Sequence, residues 1–88
     1  MMQAMALRIE RHDGAHGFDD LVPPELTIDE LTTKAAPKLR YPTTDVGSGK
    51  PLRYSMLHEG VELPREDTVG RSLKDGAKIT VVHEYVNA

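Results

Sequence analysis

Only one segment of this chain has the signals of a long amphipathic helix, and that limits the folds open to it. Thr27-Ile28-Asp29-Glu30 reads as a capping box: the threonine hydroxyl accepts from the backbone three residues on, and the glutamate reaches back. Ile28, Leu31, Ala35 and Leu39 then share one helical face. Pro37 has no N–H to give the ladder, so the pattern predicts a helix over 28–36 and an irregular turn after it. A chain of 88 residues has one modest core and little room for a deep cleft. Its single helix must bury its stripe against a sheet.

The rest of the chain supplies that sheet. Leu7-Arg8-Ile9-Glu10-Arg11 alternates apolar and charged, the mark of a half-buried strand, and Asp13-Gly14 follows as a hairpin turn. Residues 16–22 read as the returning strand, with Phe18 and Leu21 as its apolar content, stopped by Pro23-Pro24. After the helix, 43–50 is loop by composition, and Leu52-Arg53-Tyr54-Ser55-Met56 alternates again. Glu59-Gly60 turns this third strand into a short one, Val61-Glu62-Leu63. Residues 65–73 form a connecting arc with room for one helical turn, and Lys78-Ile79-Thr80-Val81-Val82, rich in β-branched residues, is the strongest strand. Residues 1–6 are expected to be a flexible lead-in, 7–84 the domain and 85–88 a tail. The order is an α+β layout: a mixed sheet of four to five strands packed on one helix, with a right-handed crossover through that helix.

Composition narrows the chemistry. With no cysteine there is no disulfide framework, cysteine-ligated zinc or cysteine nucleophile, and a cytoplasmic location is the simplest expectation. A net charge of −3 and a longest basic cluster of Lys34, Lys38 and Arg40 argue against nucleic acid as a partner. No apolar run is long enough for a membrane span. His12 and His16 flank a turn, with His58 and His83 far off in sequence, so no metal site is expected. Gly47-Ser48-Gly49-Lys50 lacks the first glycine, the following Ser or Thr and the strand–helix context of a phosphate loop. The carboxylate pairs Asp19-Asp20 and Glu66-Asp67 are adjacent residues in loop-like or broken segments, which does not set two acids across a substrate. No catalytic residues and no cofactor are assigned; the chain reads as a protein that acts by being bound.

Three segments resemble ubiquitin and its relatives. Thr27-Ile28-Asp29-Glu30-Leu31 is similar to the family's helix opening, and Met56-Leu57-His58-Glu59-Gly60-Val61-Glu62-Leu63 is similar to its third-strand turn, with the glycine in register. Residues 73–82 are similar to the segment that enters and forms its last strand. Small bacterial ubiquitin-like proteins are the most similar in character: conjugated modifiers, and the ubiquitin-like components of type VII secretion and of multicomponent monooxygenases. The resemblance implies the β-grasp roll. It implies a protein modifier joined to targets through its C-terminus by activating and conjugating enzymes, or a non-covalent adaptor or small subunit of a larger complex.

In that register Tyr85, Val86, Asn87 and Ala88 form the conjugation tail, with Asn87-Ala88 where ubiquitin has Gly-Gly. A partner enzyme adapted to Asn-Ala and removal of Ala88 to leave Asn87 are both open routes. Strand alternation sends Leu52, Tyr54, Met56, Ile79 and Val81 under the helix and leaves Leu57, Thr80 and Val82 on the other face. The resemblance makes Leu57, Thr80 and Val82 the partner-binding patch, with Arg53 and His83 at its rim.

Overall fold

The computed structural model describes residues 3–83. The elements are β1 (Met5–Arg11), β2 (Gly17–Val22), α1 (Ile28–Lys38), β3 (Tyr54–His58), β4 (Val61–Glu62), α2 (Val69–Ser72) and β5 (Lys78–His83). They build one five-stranded sheet in the order β2-β1-β5-β3-β4. β1 and β5 run parallel at its centre and every other pair is antiparallel. α1 packs across one face, and the core lies between them: Leu7, Ile9, Val22, Met56, Ile79 and Val81 from the sheet meet Ile28, Leu31, Ala35 and Leu39. This is the α+β, β-grasp layout expected from the order of elements.

The alternation begins earlier than expected. Met5-Ala6-Leu7 already reads in–out–in, Met5 is buried, and Met5 pairs with Val22. The lead-in of 1–6 therefore gives up Met5 and Ala6 to β1. In β2 the two apolar residues part company: Phe18 packs against the core while Leu21 is exposed on the opposite face.

The capping box forms as read, with Glu30 N donating to Thr27 Oγ1 at 3.1 Å and Thr27 N to Glu30 Oε1 at 3.3 Å. The other free N–H groups of the first turn find distant partners. Ile28 N donates to Asp67 O at 2.9 Å and Asp29 N to Arg65 O at 3.0 Å. The arc before α2 thus satisfies donors that a helix start always leaves over. Arg65 doubles the tie, its Nη1 2.8 Å from Asp29 Oδ1 and its Nη2 donating to Tyr54 O.

α1 runs two residues past the expected end and carries Pro37 inside its last turn. The bond Pro37 removes is the one to Thr33 O, and Thr33 and Pro37 are both exposed, so water can serve that carbonyl. The helix then closes in a Schellman arrangement: Arg40 N donates to Pro37 O at 3.0 Å and Tyr41 N to Ala36 O at 3.1 Å. The left-handed residue this motif needs is Arg40, at φ 63°. β3 and β4 turn through Glu59 (φ 53°) and Gly60 (φ 81°), the double positive-φ geometry that suits a two-residue hairpin. β3 starts at Tyr54 rather than Leu52, and Leu52 packs against the core from just before the strand.

Residues 43–52 carry no named strand or helix, as expected of a loop, and the loop is closed by its own hydrogen bonds. Thr44 and Pro51 form an isolated bridge, Leu52 N donates to Thr43 O at 3.0 Å, and Asp45 N donates to Lys50 O at 2.8 Å.

Candidate functional site

The face of the sheet turned away from α1 is where the expected patch lies. In the antiparallel β3–β5 pair, Leu57 stands opposite Thr80 and Ser55 opposite Val82, while Met56 stands opposite Val81. Met56 and Val81 are buried under the helix, so by strand parity Leu57, Thr80, Val82 and Ser55 share the outer face. Leu57, Thr80 and Val82 are each partly exposed. The register thus brings together the three residues that the sequence singled out.

A charged border surrounds this strip. On the β4 side Glu62 pairs with Leu57 and accepts from Ser55 Oγ at 2.9 Å. On the β1 side Glu10 pairs with Thr80. Its carboxylate lies 3.6 Å from Lys78 Nζ and 3.4 Å from Arg8 Nε, and Arg8 Nη1 lies 3.5 Å from Asp19 Oδ2. Exposed pairs like these contribute about 0–1 kcal/mol to folding, so they define the rim of the strip more than they hold the sheet. His58 Nδ1 sits 3.2 Å from Lys78 O at the end of the strip.

His83 does not rim the patch. It pairs directly with Tyr54, which faces the helix side, and its ring lies 5.4 Å from the Tyr54 ring. Parity places His83 on the inner face, at the end of the sheet. Arg53 is exposed one residue before β3. Tyr85, Val86, Asn87 and Ala88 lie outside the described residues.

Tyr41 is a residue that sequence reasoning missed. It is buried at the end of the sheet where β5 finishes. Its hydroxyl donates to Val81 O at 2.8 Å and accepts from His12 N at 3.2 Å. His12 Nδ1 is 2.6 Å from the same oxygen; with the phenol proton given to Val81, that contact puts a proton on Nδ1. The Arg11 guanidinium lies over the Tyr41 ring at 4.6 Å, and Tyr54 packs beside it at 4.7 Å between ring centres. Arg11 Nε is at ion-pair distance from Asp13, 3.4 Å, yet makes no well-aligned hydrogen bond. Tyr54 donates to Pro42 O at 2.6 Å, and burial, with Tyr41 nearby, holds its phenol above the ordinary tyrosine range.

Three of the four carboxylates weighed for catalysis, Asp19, Asp20 and Asp67, have structural partners. Asp19 faces Arg8, and Asp20 accepts from Leu21 N at 2.9 Å and lies 3.8 Å from Lys38. Asp67 accepts from Ser72 Oγ at 3.5 Å. Among the described residues no group of three or more His, Asp or Glu side chains is placed to hold a metal, and no helix is long and apolar enough to cross a membrane.

No protein-family model and no curated protein matches the chain. Solved structures do. A structure described as molecular mimicry of SUMO that promotes DNA repair is 17% identical, with a TM-score of 0.72 over 93% of this chain and 94% of that one. The ubiquitin of Caldiarchaeum subterraneum is 19% identical, with a TM-score of 0.69 over 97% and 99%. The UBL domain of Plasmodium falciparum Dsk2 is 16% identical, with a TM-score of 0.68 over 92% and 99%. Over almost its whole length, then, this chain has the fold of ubiquitin-like domains.

Proposed function

We propose that the protein is a ubiquitin-like modifier that docks its partners on the outer sheet face through Leu57, Thr80 and Val82. The observation that carries this reading is the β3–β5 register, which sets Leu57 against Thr80 with Val82 alongside. β5, which carries Thr80 and Val82, is also the last described strand before the C-terminal residues. On this reading the C-terminal carboxylate of the tail attacks ATP on a cytoplasmic activating enzyme, and pyrophosphate leaves. An enzyme thiolate then displaces AMP to form a thioester, and a target amine finally displaces the thiol. The protein contributes no catalytic group and no cofactor; it supplies the docking strip and the tail Tyr85, Val86, Asn87 and Ala88.

A non-covalent adaptor or small subunit is the second reading. The strip is narrow and bordered by ion pairs, which suits a standing interface as well as a transient one. Loss of the last two residues separates the two readings. N-terminally tagged protein is produced in its native host, intact and without Asn87 and Ala88, and examined by denaturing gel and intact mass. Heavier adducts that vanish with the truncation support the modifier. No adducts, with the same partners retained by both forms, support the adaptor. In either case Leu57→Arg is expected to leave the melting curve unchanged and to weaken partner retention about tenfold or more; unchanged retention refutes the docking strip.

A further inference from the structure

The charges on the outer sheet face do not balance, and the surplus sits at one residue. Among the described strand residues, register and parity put Arg8, Glu10, Asp19, Lys78 and Glu62 on that face. The first four cancel. Arg8 lies 3.4 Å from Glu10 and 3.5 Å from Asp19, and Lys78 lies 3.6 Å from Glu10. Glu62 stands outside this network. Among the described residues its carboxylate has one polar partner, the Ser55 hydroxyl at 2.9 Å from Oε1, and no cation at ion-pair distance.

The carboxylate is also aimed. Glu62 is directly opposite Leu57, and Ser55 is directly opposite Val82, so the bond from Ser55 to Glu62 runs diagonally over the face. It draws the carboxylate back along β3, beside Leu57 and Val82, although Glu62 is an exposed residue of the two-residue edge strand β4. The hydroxyl that does this is itself covered, since Ser55 is 8% exposed. Residues directly opposite across two antiparallel strands have Cβ atoms about 4.5–5.5 Å apart. A side chain seated on Leu57 therefore has a fixed acceptor about 5 Å to one side. A partner that covers Leu57 and Val82 also takes water from Glu62, and an unpaired carboxylate resists that. A guanidinium answers it best. It is less strongly hydrated than an ammonium, lies along apolar surface and donates in a planar fork. The Ser55 bond uses one lone pair, and both carboxylate oxygens keep others for such a fork.

We propose that Glu62 is a specificity-determining residue of the outer face, selecting a partner segment that sets an arginine beside the aliphatic side chain it seats on Leu57 and Val82. Ser55 is its positioning residue. The inference rests on the docking role proposed for that face and adds the charge the partner must bring.

The test uses a photoreactive diazirine analogue of leucine at position 57, close to the native side chain in shape, in the full-length chain in its native host. Mass spectrometry of the crosslinked peptide reads the captured segment, which is expected to hold an arginine within four residues of the crosslink. Glu62→Gln keeps an acceptor for Ser55, removes the charge and is expected to lower the crosslink about tenfold. Glu10→Gln removes the same charge three strands away, about 14 Å, beyond the screening length of about 8 Å at physiological salt, and is expected to change it less than about twofold. Glutamate in place of the captured arginine is expected to abolish the crosslink, and Glu62→Arg in this chain to restore it. A merely structural role for the Ser55–Glu62 bond gives no such rescue. An unchanged amide NMR fingerprint away from 55–62 shows that each variant keeps the fold. A crosslink that Glu62→Gln leaves intact, one that Glu10→Gln weakens equally, or a captured segment without arginine overturns the role of Glu62 and leaves the sheet face in place. No crosslink at 57 overturns the sheet-face reading, and the role of Glu62 falls with it.

Discussion

The Tyr41 hydroxyl stands in for a missing rung of the sheet, and its removal is the most informative single perturbation of this fold. β1 and β5 pair in parallel from Arg8↔Lys78 to Arg11↔Val81, and Arg8 N donates to Ala77 O at 3.0 Å. In a parallel ladder every second residue of a strand gives its N–H to the same neighbour. The next donor after Arg8 and Glu10 is His12, and the carbonyl it would meet is Val81. Instead the phenol oxygen sits between them, 3.2 Å from His12 N and 2.8 Å from Val81 O. Tyr41→Phe keeps the ring packing and deletes these two contacts together with the one to His12 Nδ1. The Val81 carbonyl is buried, so losing its donor costs about 1–3 kcal/mol, whereas His12 lies at an exposed turn where water can accept from its N–H. A net loss near 2 kcal/mol lowers the melting temperature of a domain this size by roughly 8–16 °C. Urea melts followed by far-ultraviolet circular dichroism measure it, with Tyr54→Phe as the control. Tyr54 loses a single part-buried bond to Pro42 O and is expected to lose about 1 kcal/mol. Hydrogen exchange is expected to quicken at the end of β5. A Tyr41→Phe protein within about 0.5 kcal/mol of the parent refutes the argument, because it means that His12 and Val81 close the rung by themselves.

Ile79 is fully buried where β5 meets α1, so Ile79→Ala is expected to cost about 2–5 kcal/mol, a large share of the stability of a small domain; a urea midpoint equal to the parent's would invert the strand facing. Arg40 occupies a left-handed position at φ 63°, where an L-residue loses about 1–2 kcal/mol and glycine's extra freedom in the unfolded chain takes back about 0.5–1. Arg40→Gly is therefore expected to raise stability modestly, by about 0.5–1 kcal/mol, and a destabilised variant in thermal melts shows that the arginine side chain is needed there. The raised titration of Tyr54 has a definite sign: folding favours the neutral phenol, so its contribution is complete below the unfolded-state value and is lost as pH rises through the folded one. Stability is expected to fall from about pH 10 upward, less steeply in Tyr54→Phe, with phenolate absorbance as the readout.

What could be read from the sequence was what local pattern controls. The capping box at Thr27 and Glu30, the alternation of Leu7 to Arg11 and of Lys78 to Val82, and the Glu59-Gly60 turn each carry their geometry within a few residues. The early start of β1 was written there too, since Met5-Ala6-Leu7 continues the alternation. The helix end depended on which carbonyl Pro37 leaves bare, and only the packed structure shows that Thr33 lies on the exposed side of the helix. The bonds from Ile28 and Asp29 to the arc, the Arg65 tie to Tyr54 and the Tyr41 bridge join residues far apart in the chain, and no local signal marks them. The 43–52 loop was opaque for a different reason. Gly, Ser, Asp and Thr are turn residues, and composition alone does not distinguish a turn that bonds to itself from one that does not.

Of the candidate site, strand parity gave the facing of Leu57, Thr80 and Val82 and the resemblance grouped them as one patch, but only the register showed that His83 belongs with Tyr54 on the other side. That division explains how structures only 16–19% identical share this fold. The inner rows, Leu7, Ile9, Met56, Ile79 and Val81, must fill one volume under α1, and many apolar sets can do so if size and parity are kept. The outer rows bear no such constraint. Glu10, Thr80, Leu57 and Glu62 lie side by side across four strands, and no described helix or strand covers them. Replacing any of them changes what the face presents while leaving the core intact. The likeness in fold therefore comes from the buried half of each strand. On the docking role proposed for the outer face, partner choice rests with the other half.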